Sequence, residues 1–219
     1  MTKEMSLLCS CPIAASLTAI PEVTCPEDIG QIQKIIIQRE KQADGTLNAI
    51  TIASTNPNEL ATWSTLKSAS DYTKVVVSPF IHNPSTAVGE PIYYGGSDNT
   101  TVDGVPLLVG RDFTQFTGEF IRVPQSVIKV IKTLECEGET TTGLSIFMID
   151  EHSRIWGLST DSGTTFTGVP IQSFFVGDKL LGGKNEPDRN AVNWSFKPNW
   201  SDYLYSITPV TGFDPLRDL

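Results

Sequence analysis

Apolar positions in this chain either alternate with polar ones or run together in short blocks, and clusters of Gly, Pro, Asn and Asp separate the blocks. Both patterns predict strands. The longest such region is Val169 to Thr208, where Gly182-Gly183 with Asn185-Glu186-Pro187-Asp188, and then Pro198-Asn199, part three strand-like segments and predict an antiparallel meander. Asn193-Trp194-Ser195-Phe196 alternates as a strand with one buried and one wet face would. Upstream, Gln31 to Glu40 carries Ile35-Ile36-Ile37 and reads as a central strand. Asp44-Gly45 then signals a two-residue hairpin, with Leu47 to Ala53 as the return strand and Ile50 and Ile52 on one face. Tyr72 to Ser78, stopped by Pro79, and Phe120 to Val123 are further strands. Leu144 to Ile149 and Ile155 to Ser159 read as a hairpin around Asp150-Glu151-His152-Ser153.

Two stretches carry helical spacing instead. Asn56-Pro57-Asn58-Glu59-Leu60 places a capping residue, Pro and an acid in the order that opens a helix, and Leu60, Trp63 and Leu66 or Lys67 form its buried stripe. Pro124 starts a second helix through Glu135, with Val127, Ile128, Val130, Ile131 and Leu134 on a broad apolar face and Gly138 as its stop. Between the two, Pro79 to Glu119 is rich in Gly, Pro, Asn and Thr, with apolar runs only at Pro91 to Tyr94 and Val105 to Val109 and a hairpin signal at Asp103-Gly104. A connection this long inside a compact domain is usually functional or an extended hairpin. An interaction arm is the favoured reading, and its candidate interface residues are Tyr93, Tyr94, Asp103, Gly104, Val105, Leu107, Leu108 and Arg111.

The expected fold is mainly β, of the α+β class: an antiparallel β-sandwich or barrel with two short flanking helices and a long central hairpin arm. The domain layout is an irregular N-terminal arm (1–30), a β-sandwich core (31–208) carrying the extended arm (79–119), and a C-terminal tail (209–219) read as loosely ordered or as another docking arm. Composition narrows the function. With 25 acids against 16 bases the net charge is −9, and no Lys/Arg cluster exceeds a dipeptide, so a conventional phosphate-tracking nucleic-acid binder is not expected. Cys9, Cys11 and Cys25 lie close together but lack paired C-x-x-C spacing, and Cys136 stands apart; free thiols are favoured over zinc or a disulfide. The first 20 residues lack the basic start and unbroken apolar run of a signal peptide, and no segment is apolar enough to span a bilayer, so no membrane association is expected. Phosphate-binding, dinucleotide, H-E-x-x-H and G-x-S-x-G motifs are absent. His82 stands alone, and the Asp150 to Ser153 tetrapeptide is what turn chemistry alone selects at a hairpin tip. No catalytic residue, cofactor or metal is expected.

The segments SFFVGDKLLGGKNEPDRN (Ser173 to Asn190), NWSFKPNWSDYLY (Asn193 to Tyr205) and CPEDIGQIQKIIIQRE (Cys25 to Glu40) resemble structural proteins of phages and prophages of the Bacteroides group. Together with the two helices, the long arm and the acidic balance, they make the chain similar to the tail tube (major tail) proteins of tailed bacteriophages. That resemblance implies a non-enzymatic virion protein assembled in the host bacterial cytoplasm. It implies self-association into hexameric rings, contact with other virion proteins, and a conduit through which DNA passes without specific binding. A head decoration or connector protein, and a β-sandwich that binds or hydrolyses carbohydrate, are the other readings.

Overall fold

The structure is a computed structural model; it describes residues 19–22, 28–96, 104–138, 140, 142–161 and 163–219. Two strands set the architecture. β1 (Ile32–Arg39) and β8 (Leu144–Asp150) pair antiparallel from Ile32↔Asp150 to Arg39↔Leu144. Every residue of β8 is buried. A strand covered on both faces needs an unbroken apolar run, which accounts for Ile35-Ile36-Ile37. Ile35 and Ile37 face one hydrophobic cluster with Leu144, Ile146 and Met148, whereas Ile36 faces a second with Phe147 and Ile149.

The first cluster is the larger. On the side of β8 away from β1, β11 (Val169–Leu180) pairs with its first half, and the sheet continues through β12 (Arg189–Phe196), β7 (Thr114–Ile121) and β4 (His82–Ala87). The inward faces of these strands supply Phe116, Phe120, Val169, Ile171, Phe174, Val176, Val192, Trp194 and Phe196. Trp194 stacks on Phe116 with ring centroids 3.9 Å apart. α2 (Gln125–Gly138) packs against β11 and adds Ile128 and Ile131. Past Ile171 that edge of β11 has no strand partner among the described residues, and Glu135 of α2 accepts the Val176 N–H at 2.9 Å. A side chain thus satisfies an edge that would otherwise invite another strand.

The second cluster lies on the opposite face of β1 and β8. α1 (Leu60–Ser68) contributes Trp63, fully buried and edge-on to Phe147 at 5.1 Å. β3 (Val75–Val77) pairs with β1. β9 (Ile155–Leu158) forms a hairpin with the second half of β8, and β13 (Leu204–Ile207) borders it. β10 (Thr165–Thr167) joins β2 (Ala49–Thr51) to β9. At Gly157, where these strands cross, a Cβ would lie 2.5 Å from Thr167 O, so this position accepts only glycine without movement. No described helix is long and apolar enough to cross a membrane.

The antiparallel, mainly β class with flanking helices is therefore the observed one, but the sheet does not close into a barrel. Residues 78–81 return to β1 through Ser78 N–H to Ile35 O (2.9 Å) and Ile81 N–H to Gln33 O (2.8 Å), after which β4 runs beside β7 alone. Several expected details change. The region from Val169 is not a three-strand meander, because β13 pairs with β9 and leaves β12 to β7. The return strand after Asp44-Gly45 pairs with β10, and only the Lys41↔Leu47 bridge follows the hairpin signal. α1 starts at Leu60, four residues after Asn56, because Asn56 O and Pro57 O accept from Thr62 Oγ1 and Trp63 Nε1 and hold Asn56 to Glu59 as turns. Leu60 is exposed and Thr62 buried in its place. On α2 only Ile128 and Ile131 are buried, with Val127 and Val130 exposed.

The C-terminal segment is seated, not loose. Phe213 is buried, Leu216 and Leu219 pack on the second cluster, and Lys34 Nζ donates to Leu216 O at 2.7 Å. The short α3 (Pro215–Asp218) begins at Asp214, whose side chain accepts the Leu216 N–H.

The chain divides into two compact units, Ile29–Val88 with Phe113–Leu219, and Met1–Asp28 with Gly89–Asp112. The first contains the sheet and clusters above. In the second the described structure is a two-stranded sheet, β5 (Pro91–Tyr94) with β6 (Leu107–Arg111). Of the Pro79 to Glu119 excursion, then, only the middle is a separate hairpin; its flanks are the core strands β4 and β7, longer than the expected Phe120 to Val123 segment.

Candidate functional site

Asp150 is completely buried at the end of β8. Its Oδ1 accepts the backbone N–H groups of His152 (3.0 Å) and Arg154 (2.8 Å); its Oδ2 accepts from Arg154 Nε (2.8 Å) and Trp156 Nε1 (2.9 Å). Both oxygens are thus engaged in shaping the β8–β9 turn, and Ser153 donates to Asp214 instead of to His152. The Asp150 to Ser153 tetrapeptide is turn architecture, as the sequence suggested.

Other acids do similar work. Asp44 accepts from the N–H and hydroxyl of Thr46, Asp71 from those of Thr73, and Asp161 from the N–H groups of Thr164 and Thr165 and from the Thr165 hydroxyl. Bonds to the ionised form hold these carboxyls below the usual range, side-chain bonds leading at Asp44 and Asp71 and the Thr165 N–H at Asp161. Arg39 makes a two-pronged pair with Glu137 (3.0 and 2.8 Å) while its guanidinium lies 4.4 Å from the Tyr72 ring centroid. The Arg39 hydrogen bonds hold the Glu137 carboxyl low. These residues border a pocket of about 250 Å³ with Asp71 and Lys74. Among the described residues no three His, Cys, Asp or Glu side chains gather in a group fit for a metal. Cys136 is an exposed free thiol; Cys9, Cys11 and Cys25 lie outside the described residues.

The sheet of β5 and β6 has a different character. Ile92, Tyr93, Tyr94, Val105, Leu107, Leu108 and Val109 are each between 45% and 60% exposed, although successive strand residues point to opposite faces. Both faces are therefore apolar and open. A two-stranded sheet is marginal by itself, and an exposed apolar patch of this kind is a candidate contact surface. Of the expected interface residues, Tyr93 sits opposite Leu108 and Tyr94 opposite Leu107. Val105 precedes β6, Gly104 has φ +66°, and Arg111 ends the strand opposite Pro91. Asp103 lies outside the described residues. Ile92 and Val109 belong to the same patch and were legible in the apolar runs that contain them.

A second apolar feature had no local signal. Between Ile29–Ile32 and Pro84–Thr86 the larger unit has a slot of about 380 Å³ whose lining includes Phe116, Met148, Phe196 and Trp200. Trp200 stacks on Phe196 at 4.3 Å. Six separate stretches of chain build this slot, so no window of sequence contains it.

No protein family and no curated protein matches the chain. Among solved structures it is similar to a chain from the tail of an empty GTA particle, refined helically with C6 symmetry. That alignment has 12% identity and a TM-score of 0.31 over 60% of this chain and 88% of that one. It is also similar to a chain from the six-fold symmetrised baseplate of the anti-feeding prophage, at 12% identity and a TM-score of 0.30 over 85% of this chain and 98% of that one. At such scores neither likeness carries an argument about this chain.

Proposed function

We propose that this protein is a structural, self-assembling subunit of a tailed-phage particle, and specifically a tail tube subunit that builds stacked hexameric rings around a passage for DNA. The observation that carries the reading is the open apolar sheet of β5 and β6, in a chain whose sequence resembles tail tube proteins and whose buried aspartate is fully occupied by turn contacts. Association through these strands covers apolar surface that a free monomer leaves in water, each of these half-exposed side chains contributing roughly 0.7–1.5 kcal/mol when fully covered. The acidic balance suits the same role, since a wall of net negative charge lets a polyanion pass without holding it. Sedimentation velocity over a concentration series tests the reading: the intact protein forms species larger than a monomer, and a variant lacking residues 90–112 does not. Unchanged assembly after that deletion rules out the β5–β6 sheet as the interface.

A further inference from the structure

Among the described residues, the sheet has an opening onto its own apolar interior. Past the Ile81 bond to Gln33, β4 diverges from the chain entering β1, and the slot between them reaches buried Phe116, Met148 and Phe196, with half-buried Trp200 at its rim. One wall is an edge, for β4 stands last in the strand order and no described strand pairs with its outer side. An edge strand beside an apolar, aromatic floor is the arrangement that takes up a further extended segment, main chain to main chain and side chain to floor. None of the residues lining the slot is charged.

We propose that this slot accepts the β5–β6 sheet of a second copy of the same chain. The proposal rests on the self-assembly reading above and names the acceptor surface for it. Charge is the first argument. Copies of a chain carrying −9 repel one another over most of their surfaces, so contact is favoured where both sides are neutral. The slot is neutral, and so are β5 and β6 from Pro91 to Tyr94 and from Leu107 to Gly110. Side-chain chemistry is the second. Tyr93 and Tyr94 are each more than half exposed, and an aromatic ring entering the slot packs well against the half-buried Trp200 at its rim in offset or edge-on geometry, with the phenol group left in water.

The test places a photo-reactive benzophenone amino acid at Thr86, an exposed position on the slot wall, and assembles an equal mixture of isotopically light and heavy copies. Crosslinks that join residue 86 of one copy to residues 91–111 of another are the expected result. Assembled material in which residue 86 links only to its own chain, or to some other segment, overturns this proposal and leaves self-assembly standing. A protein that stays monomeric at every concentration overturns both. Thr86→Arg supplies the second measurement: it raises the concentration needed for half-assembly about tenfold without altering the melting temperature. An unaltered assembly concentration in that variant also overturns the slot as acceptor.

Discussion

Asp150 shows how a carboxylate can look like chemistry in sequence and be structure in the fold. Its place at a hairpin tip was enough to read it as a turn residue, but its bond to Trp156 Nε1 depends on how β9 folds back, which local sequence does not state. Asp150→Ala leaves the buried indole N–H without an acceptor and Arg154 without its closest counter-charge, so a loss of about 3 kcal/mol in unfolding free energy is expected by urea titration. Arg39 and Glu137 give a pH prediction. The folded Glu137 value lies below its ordinary 4.5, so the pair's contribution is fully present above that value and disappears as the pH falls through the lower folded one. Both side chains are about one-third exposed, which limits the pair to under about 1 kcal/mol. Accordingly, Glu137→Gln is slightly less stable than the parent at pH 7, and the two converge on acidification below pH 4.5. A gap that stays constant with pH contradicts the role assigned to the pair.

At the scale of elements, strand existence was legible and strand partnership was not. Ile35-Ile36-Ile37 announced a strand buried on both faces because only an unbroken apolar run satisfies that position. The partner of β13 was not announced, since Leu204 to Ile207 fits beside β9 or β12 equally well by pattern, and the second hydrophobic cluster decides it through Ile207. α1 shows tertiary bonds overriding a local start signal: the Trp63 indole takes the Pro57 carbonyl, and the first turn is not helical. The β5–β6 sheet yields an element-scale prediction. Ala87 of β4 and Gln115 of β7 are cross-strand partners, so a short Gly-Ser linker can replace residues 90–112 without separating them. That variant keeps the melting temperature of the parent within a few degrees, because the deleted sheet buries little of the core. A large drop instead makes β5 and β6 part of the core's stability.

For the whole molecule, composition pointed to a turn-rich β protein with an acidic surface, and the fold agrees. The aromatic slot was invisible for the opposite reason from the arm: the arm is contiguous in sequence, whereas the slot exists only after residues as distant as Ile29 and Trp200 meet. The net charge of −9 adds a prediction about assembly. Raising salt from about 0.05 to 0.5 M shortens the screening length and weakens repulsion between copies, so light scattering should show assembly at lower protein concentration in high salt. Loss of assembly with added salt implies an interface held by opposite charges instead of apolar contact. The proposed assembly is a hollow, ring-based particle, which negative-stain electron microscopy of the purified protein would reveal. Rings or stacked tubes whose end-on averages have six-fold symmetry are expected, and fields of uniform monomers at every concentration and salt rule such an assembly out.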